Sequence, residues 1–552
     1  MHVVGDKTHA ASPILGPDGK PYLRNIERSA NQGSLSAAYD DALRMPELAD
    51  HFAGCNALSA RAAASSAVRK HIREKVRHER YQNSYLSGML QTAANYLIGT
   101  GPKLQMLMLG LNGKIDRKAN REIEQDWMRW TKRIRLAEKL RTLVMAKKGD
   151  GESFAAMAYN PAVGEDTGIP LDLLTIECDQ IEDLRVQAFN DRHGAGGIVF
   201  DEYENPVEYP VLEHHPGDNL WWINVYEKPQ FVDRKFMCHL FRRDRPGQRR
   251  GVSEWLPAMP LFALYRRMTL ATIGNIETAA SLSAVLETEA ENDTDGKTLS
   301  PWGEEDWFMS FPIARRMMMT LPTGAKLKQF LSAAPNSEYD SFTKALLREI
   351  ARCTNMPFNI ASGDSSSYNY ASGRLDHQSF FLSNKVELTD IEYEVVERLF
   401  DRWIRIRAAK ASGIAPEDID VSLYTHQFVW DGLEHVDPQK EASAAQIRLA
   451  SGTTTRGREY FKQGLDIDDM DERAAEELGF DTVKEYRQAI AANLFGTQNQ
   501  ALQKMQMAQG QQSQEQRPQV ASGTRPGISA ADMAFIEGFV NERIESLMEL
   551  RS

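Results

Sequence analysis

The sequence predicts an α+β chain of several domains, and three observations carry that prediction. Residues 153–240 have strand-like content broken by turn chemistry. Pro-poor helical stretches follow at 261–288 and 375–410, and residues 437–494 are helical again. At 552 residues the chain is long enough for about two to four domains and a large core.

Residues 1–50 mix Gly, Pro, Ser and Asn with little periodicity and predict an extended arm. Cys55 to Tyr96 is helical and rich in Ala, Arg and Lys, and Ile98-Gly-Thr-Gly-Pro102 is a stop. Lys118 to Met145 predicts a second helix, with Ile123, Trp127, Trp130 and Ile134 on one face as core anchors. Strands are expected at Ser153–Tyr159, Leu171–Cys178, Gly197–Phe200 and Val207–Leu212, with a turn at Asp201–Pro206. Leu261 to Thr288 reads as one helix of about 40 Å, followed by an acidic loop at Glu287–Gly296. Short strands are expected within Trp302–Leu331, and a helix at Ser337–Thr354 with Phe342, Leu346, Leu347 and Ile350 inward.

The longest helix is expected from Leu375 to Lys410, about 50 Å, with a stripe of Leu388, Ile391, Val395, Leu399, Trp403 and Ile406. Gln498–Gln519 is Gln-rich and core-poor, a flexible connector. Ser529–Leu550 reads as an amphipathic helix capped by Ser529 and Asp532. Its stripe of Met533, Ile536, Val540, Ile544 and Leu547 calls for a partner, such as the same helix of a neighbour.

Composition excludes several classes. Hydrophobic content of 42% and charged content of 26% are ordinary for a globular protein. No run approaches the roughly 18 apolar residues of a membrane span, and the N-terminus lacks a signal-peptide layout, so synthesis in the cytosol is expected. Cys55, Cys178, Cys238 and Cys353 are scattered, which argues for buried thiols over zinc or redox chemistry. The net charge is −12. A protein that clamps DNA is usually basic, because Lys and Arg replace phosphate counterions. An acidic balance suits a surface past which DNA slides.

No catalytic constellation emerges. Gly296-Lys-Thr298 hints at a phosphate-binding loop, but Glu291 stands where its first glycine belongs and no apolar strand precedes it. Gly363-Asp-Ser365 lacks a G-x-S-x-G elbow, and His377 is too near in sequence to suggest a triad. His214, His215 and His239 form no metal motif. Asp468-Asp469 reads as solvated charge. No cofactor or metal is expected. The cluster Arg242, Arg243, Arg245, Arg249 and Arg250 is built on a Pro246-Gly247 turn that splays side chains outward. It can meet phosphate, or pair with acidic surface within the domain or on a neighbouring subunit; in a net-acidic chain, pairing is favoured.

Two segments, Met237-Cys-His-Leu-Phe-Arg-Arg-Asp-Arg-Pro-Gly-Gln-Arg-Arg-Gly-Val-Ser253 and Ser362-Gly-Asp-Ser-Ser-Ser-Tyr-Asn-Tyr-Ala-Ser-Gly-Arg374, resemble the signature of lambda-type phage portal proteins. Arg77-His-Glu-Arg-Tyr-Gln-Asn83, Ile98-Gly-Thr-Gly101, Gly151-Glu-Ser-Phe154 and Trp430-Asp-Gly-Leu-Glu-His-Val-Asp-Pro-Gln-Lys-Glu-Ala442 extend the likeness. Gly452-Thr-Thr-Thr455 and Gly464-Leu-Asp466 continue it in the same order. The arm and the Gln-rich tail fall outside it.

That resemblance implies a portal fold of wing, helical stem, small clip and helical crown, closed as a dodecameric ring around a channel. It implies an N-terminal arm at 1–50, wing at 51–255, first stem helix at 256–288 and clip at 289–335. The second stem helix follows at 336–356, then tunnel loop and long wing helix at 357–430, crown at 431–495, linker at 496–527 and terminal helix at 528–552. Ser365, Ser366, Ser367, Tyr368, Asn369, Tyr370 and Arg374 would then face DNA. Such a surface is small and polar, and its tyrosines can touch an intact duplex without stacking on bases.

The implied function is a non-enzymatic portal in the virion, at one capsid vertex, made in the host cytoplasm. Its implied partners are further copies of itself, the large terminase subunit, a head–tail adaptor, the major capsid and scaffolding proteins, and passing double-stranded DNA; no membrane is involved. A packaging ATPase or nuclease is the enzymatic alternative, and a head–tail adaptor ring the structural one.

Overall fold

Residues 57–110, 113, 115–181, 193–218, 229–281, 285–288, 291–292, 298–299, 325–328, 337–366, 370–432 and 438–492 are described by a computed structural model. The chain divides into two units, Met1–Gly432 and Leu433–Ser552.

In the first unit, helix α1 (Ser66–Gln82) gives way to α2 (Ser84–Ile98) at Asn83. One continuous helix was expected here. Asn83 adopts extended backbone instead, and its Oδ1 accepts from Tyr85 N–H at 3.0 Å, capping α2. The expected stop follows, with Gly99 and Gly101 both at positive φ. After β1 (Lys103–Met106), α3 (Arg117–Ile134) and α4 (Leu136–Asp150) divide at Arg135, which sits at φ 55°. This left-handed break also corrects a single expected helix, since nothing in Arg135 itself signals that conformation.

The strand region forms two antiparallel sheets. In one, β2 (Glu152–Tyr159) lies between β3 (Leu171–Ile176) and β8 (Met237–Phe241), with Phe154 opposite both Ile176 and His239. The short α5 (Pro161–Thr167) joins β2 to β3. The other sheet runs β4 (His193–Ala195), β5 (Ile198–Phe200), β6 (Pro206–Val211), β7 (Gln230–Asp233). The strands β2, β3, β5 and β6 lie close to where the sequence predicts them.

Helix α6 (Met259–Ser281) ends before the expected point, and β9 (Val285–Thr288) follows it, paired with a strand at Ala325–Lys328. Val285 and Leu286 find cross-strand partners there, which outweighs helical continuation. The rest of 302–331 lies outside the described residues. Helix α7 (Ser337–Arg352) buries Leu346, Leu347 and Ile350 as expected, whereas Phe342 is 54% exposed. A short α8 (Phe358–Ser362) precedes α9 (Tyr370–Ile391), a π-helical turn at Glu392–Glu397, and α10 (Arg398–Ser412).

This composite helix is the spine of the first unit. Phe380 packs with Leu86, Met89, Trp255 and Ile350 in one core. Ile391, Val395, Leu399 and Trp403 enter a second core with Trp127, Trp130 and Leu140. There Trp127 meets Trp403 edge-on at 5.2 Å, and Trp130 Nε1 donates to Leu171 O at 2.9 Å. The expected tryptophan anchors and inward stripe are thus realised. Strand β10 (His426–Val429) closes the unit by pairing antiparallel with β1.

In the second unit, α11 (Pro438–Ala450), α12 (Arg456–Lys462) and α13 (Ile467–Glu477) are cross-tied by ion pairs. Arg448 holds Glu441 at 2.7 Å and Glu459 at 3.1 Å, while the fully buried Asp471 takes Arg456 and Arg487. The segments 498–519 and 529–550 lie outside the described residues. No described helix is long and apolar enough to cross a membrane.

Candidate functional site

The polar segment 362–374 is held at its base by buried neighbours. Phe358 and Ala361 pack into the core, and the Asn359 carboxamide meets His377 Nε2 at 3.0 Å (Nδ2) and 3.2 Å (Oδ1). Gly363 takes φ 71° and ends α8. Ser362 Oγ donates to Phe358 O at 2.7 Å, and Asp364 Oδ1 accepts from Ser366 N–H at 2.9 Å, an Asx turn. Ser365 and Ser366 are exposed. Residues 367–369, which include Ser367, Tyr368 and Asn369, lie outside the described residues. Tyr370 opens α9 and Arg374 is its fifth residue, so the last part of the expected loop is helix. Among the described side chains, Lys344 lies 2.8 Å from Asp340 and 3.9 Å from Asp364. The described hydroxyls and the Asp364 carboxylate can hydrogen-bond a passing ligand here.

The arginine turn is a different kind of site. Gly247 at φ 74° makes the reversal, and Gln248 ties it together by accepting from Asp244 N–H (2.9 Å) and donating to Arg250 O (3.0 Å). Arg242 pairs with Asp244 at 2.6 Å, Arg245 donates to Leu58 O at 3.0 Å, and Arg249 pairs with Glu204 at 2.6 Å. Arg243 lies over the Phe241 ring at 5.2 Å. Arg250 departs from the outward splay expected of a turn. It is 2% exposed and makes a two-pronged bond to Glu152, 2.7 Å on each prong, while Nη1 donates to Ile181 O (2.8 Å) and Gly196 O.

Glu152 itself is fully buried. Burial alone would raise its pKa, but Arg250 and the His239 hydrogen bond outweigh that and hold it well below the usual carboxylate range. His239 stacks between Phe154 (4.2 Å) and Phe241 (4.5 Å), and burial lowers its pKa despite Glu152 at 3.2 Å. A second buried set, Lys147 and Lys148 around Glu387 at 2.7 Å each, fastens α9 to α4. Burial opposes ionisation of Glu387, yet the two lysines bring its pKa down to about 2. Sequence reasoning missed both hubs, although Glu152 lies within a quoted motif.

Those motifs meet in pairs. Gly151-Glu-Ser-Phe154 lies against Arg250-Gly-Val-Ser253: Gly251 N–H donates to Glu152 at 3.2 Å, and an added Cβ on Gly151 would run into the backbone of Val252 and Ser253. Thr100 of Ile98–Gly101 donates through N–H (2.5 Å) and Oγ1 (2.9 Å) to Asp431, beside Trp430. Arg77 is bonded to Asp150 at 2.8 and 2.9 Å. Thr455 and Asp466 cap α12 and α13.

Among the described residues, Glu177, Asp179 and His215 form a group close enough to suggest a metal. His215 Nδ1 accepts from Gly217 N–H at 2.9 Å, so the ring proton sits on Nε2, the nitrogen that faces Glu177 at 3.2 Å. Arg77 already neutralises Asp179 at 2.8 Å. The imidazole lone pair is thus taken up by the Gly217 N–H, which leaves none free for a cation. Burial pushes the Cys238 thiol up to about 12 and raises Cys178 as well, so neither thiol is poised for nucleophilic chemistry.

The sequence model of the family described as phage portal protein, lambda family, matches residues 50–383, a span that includes both the arginine turn and the polar loop. A "probable portal protein" of Halomonas phage phiHAP-1 is 22% identical over 431 residues, covering 74% of this chain and 80% of the relative. Solved structures with a distant likeness include the neck of an empty gene transfer agent particle with C6 symmetry (16% identity, TM-score 0.41, 69% of this chain and 90% of that one). The virion of a native gene transfer agent particle gives 16% identity and a TM-score of 0.41, over 71% of this chain and 93% of that one.

Proposed function

The chain belongs to the lambda family of phage portal proteins, and from that premise we propose that its copies close into a dodecameric ring whose throat is lined by residues 362–374. It is a structural protein of the virion through which the genome is packaged. The observation that carries the reading is the family match across 50–383, which takes in the polar loop and the first part of the spine helix that follows it.

The surface of the spine supports ring closure. Leu375, Leu382, Val386 and Tyr393 are 62–74% exposed and recur at spacings of 7, 4 and 7 residues, a single straight stripe on α9 and the π turn. Helix α6 exposes a separate set, Leu264, Leu270, Ile273 and Ile276. Head-to-tail contacts need two different patches on each copy, and the chain offers two. Isolated exposed leucines are ordinary, whereas an aligned row marks an interaction face.

Ser365 to Tyr370 and Arg374 would face the duplex, with the serines presenting hydroxyls and no lattice of cations to brake it. The acidic net charge of −12 serves the same end. Arg242, Arg243, Arg245 and Arg249 remain near the surface for a neighbouring subunit or phosphate, whereas Arg250 serves the fold. We assign the wing, stem, clip and crown to the boundaries given above. Made in the host cytoplasm, the ring would dock the large terminase subunit, whose ATPase drives translocation, then a head–tail adaptor, within the major capsid shell built with scaffolding protein. Deleting residues 363–369, which join α8 to α9, tests the loop assignment. Rings of unchanged size that lose packaged DNA are expected; loss of folding would show the segment to be structural instead.

A further inference from the structure

The π-helical turn at Glu392–Glu397 has a local reason that the portal function does not supply. Residues five apart on an α-helix point about 140° away from each other. The π turn's wider hydrogen-bonding step brings them closer to the same side. Glu392 and Glu397 are five apart, and they hold the two ends of one short segment. Trp430 Nε1 donates to Glu392 Oε2 at 2.5 Å, and His426 Nε2 lies 2.9 Å from Glu397 Oε2. Strand β10 is thus clasped at both ends by a single turn of the spine helix.

The other nitrogen of His426 decides its charge. Nδ1 lies 2.8 Å from the carbonyl oxygen of Tyr424. A carbonyl and a carboxylate both accept, so both ring nitrogens must donate, and a neutral imidazole carries only one N–H. The fold as it stands therefore requires the imidazolium. From this geometry we propose that His426 is a protonation-sensitive clasp. Its charged form locks β10 onto the π turn, and loss of the proton releases one of the two contacts and loosens the β1–β10 pair.

The charged surroundings fit this role. The π turn presents Glu392, Glu394 and Glu397, and α10 presents Arg398 and Asp401. Arg234, from the turn after β7, and Arg398 both bind Glu394, at 2.8 and 3.0 Å, which leaves Glu397 to His426. On the β1 side, Met106 is the residue paired with His426, and its N–H donates to Glu124 of α3 at 2.6 Å. Phe400 covers the ring at 4.0 Å. The pair borders a surface cavity also lined by Arg234, Tyr393 and Asp401, so water can deliver and remove the proton.

Burial disfavours the charged ring, yet Glu397 and the Tyr424 carbonyl raise its pKa above the ordinary histidine value. A raised native pKa stabilises fully below the unfolded value of about 6.5 and is lost as pH rises through the native one. The alkaline side is where the clasp opens. Four residues past His426 the chain reaches Trp430-Asp431 and leaves for the second unit, so loosening acts on the strand that leads there.

Amide hydrogen exchange of the assembled protein, corrected for intrinsic rates, tests this at about pH 6 and about pH 9. Protection of 424–430 and 392–398 should fall by about tenfold or more at the higher pH, with the Trp127 core unchanged. Glu397→Gln leaves an acceptor but removes the charge, and should move the step to lower pH. His426→Phe should abolish the step and show low protection throughout. Equal protection at both pH values, or the same step in Glu397→Gln as in the unaltered chain, overturns the proposal. A ring that failed to form would leave this result readable, since the clasp lies within one copy.

Discussion

Arg250 differs from the four arginines around it in how completely the chain has enclosed it. Its guanidinium faces Glu152 with two near-parallel bonds, and no water reaches either partner. A buried pair of this kind is costly to break because the survivor keeps its desolvation penalty. Arg250→Met and Glu152→Gln should each destabilise by about 3–5 kcal/mol in urea unfolding. The pH dependence has a definite sign. Glu152 is held below its unfolded value, so its contribution is complete above about pH 4.3 and fades as pH falls through the native value. Unfolding at stepped acid pH should show that loss, and Glu152→Gln should flatten it. The sequence left the cluster open to phosphate or to pairing, with pairing favoured, and four of the five arginines have hydrogen-bond or ion-pair partners within this chain. It could not single out Arg250, because the enclosing carbonyls of Ile181 and Gly196 come from far along the chain.

At the scale of elements, the packing of β2 against the strand-exit at 250–253 depends on two glycines. Gly151 stands at φ 96°, and a Cβ there would strike the backbone of Val252 and Ser253; one on Gly251 would strike Gly151 O. Backbone cannot rotate away as a side chain can. Gly151→Ala should therefore cost more than about 1 kcal/mol and lower the thermal midpoint, with the shift read by calorimetry. Helix stripes were legible in the sequence because a 3.6-residue period survives in the pattern: Trp127, Trp130, Val395 and Trp403 all lie where it put them. The breaks at Asn83 and Arg135 were not, since each is a single residue leaving helical backbone angles and leaves the apolar period on either side of it intact. The strand at Val285–Thr288 was missed because its partner lies far along the chain, at Ala325–Lys328. The exposure of Phe342 shows a pattern fitting a face that the rest of the fold leaves open.

For the whole molecule, the family was legible in several short motifs read in one order, and two pairs of them meet in the fold, Glu152 with Arg250 and Thr100 with Asp431. The proposed ring would rest on surfaces one copy leaves open. Leu382→Asp with Val386→Asp should shift assembled protein toward single subunits by at least about tenfold, because a carboxylate in an apolar contact loses its water. Native mass would show that shift, with the circular dichroism of the helices unchanged. The most direct test is imaging of the purified, unaltered chain by electron microscopy under assembly conditions. Closed rings with an open axis, matched by a single high native mass, are the predicted result. Solitary or paired particles without a central opening would contradict the account.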